Sequence, residues 1–197
     1  MKTLKLTRKD FKGTDSYWKE YVGKEDVSVY EGNIEIEGGL GYVRFASLKA
    51  TGFVLSGAGT GIEAGEGIKS GWGIKAGMGI EAGDGIEAGW GIKAGDGIEA
   101  GDGIKAGEGI KAGWGIEAGD GIEAGMGIVS GLEITCKLAL SSSLRIFAGV
   151  CWWRKIDEEE KTITCGKLES GVVAYGILKE IGMPVVAIDK ETGIATD

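Results

Sequence analysis

The chain of 197 residues contains no histidine and a single proline, Pro184. Without an imidazole, histidine-based acid–base catalysis and histidine-type zinc sites are excluded. One proline against 39 glycines excludes collagen, in which proline is abundant and glycine falls at every third position. No run of 18 apolar residues is present, and the N-terminus MKTLKLTRKD lacks an apolar signal core. A soluble, cytoplasmic chain without membrane contact is therefore expected. Cys136, Cys151 and Cys165 are an odd set with no C-x-x-C pair, so reduced thiols are expected rather than a metal or redox centre.

What is abundant is glycine, and its placement is periodic. From Gly61 the chain repeats G-I-x-A-G-z twelve times, ending at Gly131. On a helix, isoleucines six residues apart fall about 600° apart and spiral around the axis. On a strand, Ile and the Ala two positions later share one side and x points to the other. The unit is thus a short strand and a turn, with the paired glycines supplying either positive φ or close backbone approach at each corner.

The variable sites carry a longer period. At a spacing of 18 residues, x reads Glu63, Glu81, Glu99, Glu117 in one column, and Lys75, Lys93, Lys111, Val129 in another. The third alternates as Lys69, Glu87, Lys105, Glu123, and the z sites beside the glutamates read Glu66, Asp84, Asp102, Asp120. Periods of 12 or 24 mix the signs. The expected fold is all-β: a β-solenoid of about four 18-residue coils with three short strands each. Duplication of an 18- or 36-residue unit would also generate such columns.

Solenoid ends need covers, which gives three segments: an N-terminal cap over 1–60, the hexapeptide solenoid over 61–131, and a β-rich C-terminal cap over 132–197. Alternation predicts strands near Val27–Tyr30, Asn33–Glu37, Tyr42–Phe45, Leu132–Leu140, Leu144–Val150 and Lys161–Thr164. A helical-period apolar set over Glu169–Ile181, stopping at Gly182, predicts one short C-terminal helix. The final VVAIDKETGIATD reads as a strand and tail.

The repeat resembles that of the hexapeptide-repeat acyltransferases, whose coils also have three short strands. The resemblance covers residues 61–131 and concerns architecture. Those enzymes commonly use a histidine base, which this chain lacks, so acyl transfer is not expected. A second resemblance is to bactofilin-like scaffolds, glycine- and isoleucine-rich solenoids that polymerise. It implies a structural scaffold that assembles end to end; the large flanks oppose that stacking, and the lysine and glutamate columns leave open a homo-oligomer paired laterally.

The charge belongs to the repeat: 12 acidic residues against five lysines give Gly61–Gly131 a net charge of −7, of −8 in total. With coils about 4.7–4.9 Å apart, the paired acidic columns would place about one negative charge per 2.4 Å. Duplex DNA carries about one per 1.7 Å, and a single strand about one per 3.4 Å. In this character the chain is similar to phage and mobile-element inhibitors of bacterial defence, including anti-CRISPR proteins and DNA-mimicking pentapeptide-repeat solenoids. That similarity implies a non-enzymatic inhibitor that binds no nucleic acid itself but occupies a basic groove of a nucleic-acid-binding protein, for instance a CRISPR effector.

A solvated, solubilising face is the competing reading of the same columns. Trp72, Trp90 and Trp114 occupy z sites, where outward alternation would make them interface anchors and an inward turn at the corner would make them core, with Met78 and Met126 at equivalent corners. The cluster Trp152–Lys155, followed by Asp157–Glu160, reads as cap core with a solvated turn, or as a protein-binding hotspot. Specific calcium binding is not expected, because the repeat lacks the G-G-x-G-x-D pattern, and no cofactor is expected.

Overall fold

A computed structural model describes residues 1–13 and 17–183, with the backbone of 187–188 and 195–196. The expected strand and tail of the final segment otherwise lie outside the described residues. The chain is an all-β solenoid with three strands per turn, built almost wholly from parallel ladders. Each repeat hexad contributes a three-residue strand, such as Ile86–Ala88 or Ile98–Ala100, in which the first and third residues are buried and the middle one points out. Hexads 18 residues apart pair in register, as in Ile80↔Ile98 and Ile98↔Ile116.

Three faces result, named here by their outward columns. On the glutamate face, Thr60–Ala64 is followed by Ile80–Ala82, Ile98–Ala100 and Ile116–Ala118. On the lysine face, Ile74–Ala76 is followed by Ile92–Ala94 and Ile110–Ala112. On the mixed face, Ile68–Ser70, Ile86–Ala88, Ile104–Ala106 and Ile122–Ala124 stack. The lysine and mixed faces meet at the C-terminal end through Ala139–Phe147, which pairs with both as it turns the corner.

The twelve repeat isoleucines are each 0–1% exposed and form the axial core with the alanines. Full burial of such a side chain contributes about 1.5–3 kcal/mol, which offsets the ordering cost of a glycine-rich backbone. Buried Ser70 and Ser130 replace two of the alanines. Their hydroxyls donate to the carbonyls of Gly52 (2.7 Å) and Trp114 (2.6 Å), so neither is left unpaired.

The repeat glycines are explained by proximity. No glycine of the hexads has positive φ; those that do, such as Gly39, Gly59 and Gly176, lie outside them. At the glycine preceding z, from Gly71 onward, a β-carbon would strike the previous coil: on Gly101 it would lie 1.9 Å from the Gly83 carbonyl oxygen. At the glycine following z the space is wider, and on Gly103 the nearest atom would be 3.2 Å away.

Two sequence expectations are corrected. The solenoid has about eight turns rather than four, because the same ladders run on through both flanks. Interior columns continue there with less regular residues, as in Ile34↔Val54, Val43↔Ile62 and Ile134↔Ile163. The helix expected over Glu169–Ile181 is instead the strands Lys167–Tyr175 and Ile177–Glu180. Gly171 and Gly176, at φ of 100° and 117°, break any helical run, while the edges left by Ala139–Phe147 and Thr162–Cys165 offer parallel pairing. A third difference is local: Val27–Tyr30 forms no strand and contributes only the isolated Tyr30↔Ala50 bridge.

The two ends differ. At the N-terminal end an antiparallel pair, Phe11–Gly13 with Trp18–Tyr21, sets Phe11 edge-on to Tyr21 and Phe45 over the core. At the other end the axial column passes from Ile163, fully buried, to Leu178, 38% exposed.

Candidate partner-binding surface

The outward column of the glutamate face is continuous. Glu63, Glu81, Glu99 and Glu117 stand directly opposite one another on successive coils, with Arg44 before them and Thr135 after. Like charges opposed across a ladder are destabilising, and the chain relieves this at one end only. Arg44 donates from Nε to Glu63 Oε1 (2.8 Å) and from Nη2 to Glu63 Oε2 (3.2 Å), while its guanidinium sits 4.9 Å from the centre of the Trp18 ring. Glu81 has no such partner among the described residues. Its carboxyl is held above its ordinary pKa by partial burial first, then by Glu63 and Glu99 on either side.

The corner between the glutamate and mixed faces carries Glu66, Asp84, Asp102 and Asp120, all exposed. Their backbones form a second ladder, each amide donating to the carbonyl one coil back, as in Asp120 to Asp102 (3.0 Å). Eight carboxylates thus occupy one face and its adjoining edge, in the two columns expected from the 18-residue period.

The tryptophans divide between two corners. Trp114 lies on the other edge of the glutamate face, 55% exposed, and lines a groove of 260 Å³ with Tyr42, Glu81, Glu99 and Glu117. Trp72 and Trp90 stack on each other with ring centres 5.2 Å apart and planes 4° from parallel. They occupy the corner between the mixed and lysine faces, opposite the glutamate face, where they border a second groove of 560 Å³ containing Lys75, Lys93 and Lys111. All three tryptophans are exposed, as is Met126, while Met78 is half-buried. A single flat partner can therefore touch the acidic columns together with Trp114, but not with Trp72 and Trp90.

On the mixed face, alternation places opposite charges on neighbouring coils, and Lys69–Glu87 (2.6 Å) and Lys105–Glu123 (2.8 Å) pair within the molecule. The cap-core reading of Trp152 and Trp153 is corrected: they are 88% and 41% exposed, on a segment outside the ladders. Arg154 behind them is tied to Glu160. Arg44, Tyr42 and Trp18 extend the glutamate face and were not singled out from sequence, because no period aligns them with the repeat.

Among the described residues, no three of His, Cys, Asp and Glu are grouped so as to hold a metal ion, and no helix is long and apolar enough to cross a membrane. No protein-family model, curated protein or solved structure matches the chain.

Proposed function

We propose that the protein acts without turnover, presenting the glutamate face and its acidic corner to a cationic, nucleic-acid-binding groove of another protein. The observation that carries this reading is the in-register pairing of Glu63, Glu81, Glu99 and Glu117 beside the corner column of Glu66, Asp84, Asp102 and Asp120. Two carboxylates per coil give about one charge per 2.4 Å at the usual coil spacing, within the range set by duplex and single-stranded nucleic acid. The parallel ladders fix the backbone spacing of those carboxylates, so the ordering cost of binding is confined to their side chains. Trp114, at the groove edge, supplies an aromatic anchor of the kind concentrated at binding hot spots. An inhibitor of a phage or mobile-element kind, directed at a CRISPR effector or another defence nuclease, is a use consistent with this surface.

The test is capture from bacterial lysate by the wild type and by a variant with the eight carboxylates changed to Gln or Asn. Salt-sensitive retention of a nucleic-acid-binding protein by the wild type alone supports the reading. Equal retention of the same partner by both proteins refutes it and reduces the columns to a solvating face.

A further inference from the structure

The lysine face is a charged surface that the proposed function leaves unused. Lys75, Lys93 and Lys111 stand directly opposite one another on three successive coils. All three are exposed, and among the described residues none has a carboxylate within ion-pairing distance. This contrasts with the mixed face, whose lysines are paired within the chain. Three adjacent like charges without an ion-pair partner oppose folding, with Glu108 on the groove as a more distant carboxylate, and the glutamate column beyond Glu63 has the same defect with the opposite sign.

We propose that the lysine face of one copy recognises the glutamate face of another. Both columns are set by the same coil spacing, so their periods match necessarily. The winding also fixes their relative height. Lys75 follows Glu63 by twelve residues and precedes Glu81 by six, so it lies at a level between them; Lys93 lies between Glu81 and Glu99, and Lys111 between Glu99 and Glu117. In two copies side by side with parallel axes and no axial shift, three lysines interleave with four glutamates.

Beyond the repeat the match is partial. Glu35, earlier in the lysine-face column, falls at a level between Glu20 and Arg44, and Val129, after the lysines, falls between Glu117 and uncharged Thr135. Across the repeat coils the two outward columns oppose only unlike charges, and the one like pair in this register is Glu35 with Glu20, before the repeat. Complementary columns of this kind fix register and raise the rate of encounter.

The contact joins two different faces, so it is heterologous: the product is a ring or a lateral array rather than a two-fold dimer. It covers the glutamate column and leaves the corner column of Glu66, Asp84, Asp102 and Asp120 at the rim. Self-association and partner capture then compete for the glutamate face.

Analytical ultracentrifugation tests the proposal. In low salt the wild type should sediment as a multimer of the 20.5 kDa chain, and should dissociate in about 0.5 M salt, where the screening length falls to a few Å. Lys75, Lys93 and Lys111→Glu, and separately Glu81, Glu99 and Glu117→Lys, should each be monomeric in low salt. Mixed in equal amounts, the two should reassociate, since each then offers the charge the other lacks.

The milder triple Lys→Gln variant should also be monomeric, which guards against misfolding of the reversals, and far-UV circular dichroism checks the coils in all of them. A monomeric wild type at every concentration overturns the proposal, as does assembly that survives the Lys→Gln change. Neutralising only the corner column should leave assembly intact while weakening partner capture, so the two proposals fail separately.

Discussion

Replacing Gly101 by alanine should be far more damaging than replacing Gly103, two residues away in the same corner. A β-carbon on Gly101 would lie 1.9 Å from the Gly83 carbonyl oxygen; reaching 3.0 Å, the shortest distance seen in practice, requires a shift of 1.1 Å. The obstacle is backbone on a stacked coil, so no side chain can rotate away. Separation by that amount strains the Gly101 N–H bond to Ala82 (3.0 Å) and the Asp102 N–H bond to Asp84 (3.3 Å). One to two such bonds at about 1 kcal/mol each, together with overpacking of about 1–3 kcal/mol, give a loss of about 2–5 kcal/mol.

On Gly103 the nearest atom lies at 3.2 Å, so a shift of a few tenths of an ångström suffices. Its φ is not positive, and the reduced freedom of the unfolded chain returns about 0.4–1 kcal/mol. That substitution should be neutral within about 1 kcal/mol. Urea unfolding measures the difference if the slope is unchanged, and amide hydrogen exchange localises it, since stacked repeats can open in parts. Equal effects of the two substitutions would refute the close-approach explanation.

Glu81→Gln should stabilise the protein at pH 7, by less than about 1 kcal/mol for a partly exposed group. Its carboxyl is raised in the fold, so the unfavourable contribution appears as pH rises above the unfolded value of about 4.3 and is absent below it; denaturation at pH 7 and at about pH 3.5 distinguishes this from a packing effect, which would persist in acid. Burial, followed by Cys165, pushes the Cys136 thiol up to about 12. Stability should therefore fall as pH rises above the unfolded thiol value of about 8.5, and Cys136→Ser should reduce the slope. A thiol reagent at pH 8 should modify half-buried Cys151 in the native protein and reach Cys136 and Cys165 only on unfolding; rapid modification of all three would contradict their burial. For the lysine and glutamate faces, charge reversal should give monomers that reassociate on mixing, as ultracentrifugation will read.

The repeat is legible in sequence because every functionally distinct position recurs in phase. Ile, Ala and two glycines hold constant while x and z vary, and the 18-residue period of x places Glu63 beside Glu81 before any coordinate is known. The flanks are not legible in this way because their coils have unequal lengths. Ile134 stacks on Ile163 across 29 residues rather than 18, since the segment bearing Trp152 and Trp153 is inserted between them. Interior sites there accept Leu, Val, Phe or Cys, so no fixed letter marks the register. The Glu169–Ile181 segment misled for a related reason: its apolar spacing fits a helix, but an open sheet edge beside it rewards extension. The tryptophans show a further limit, because outward alternation gives their exposure but treats all corners alike. Only the order of faces separates Trp114, beside the acidic columns, from Trp72 and Trp90 on the opposite corner.

If the acidic columns occupy a site that otherwise holds nucleic acid, DNA and this protein must compete for it. A nucleic-acid-binding protein captured by the wild type is titrated with duplex DNA at constant salt. DNA should displace it completely, and the eight-carboxylate variant should neither bind nor compete. Simultaneous binding of DNA and this protein to the same partner would contradict that occupancy.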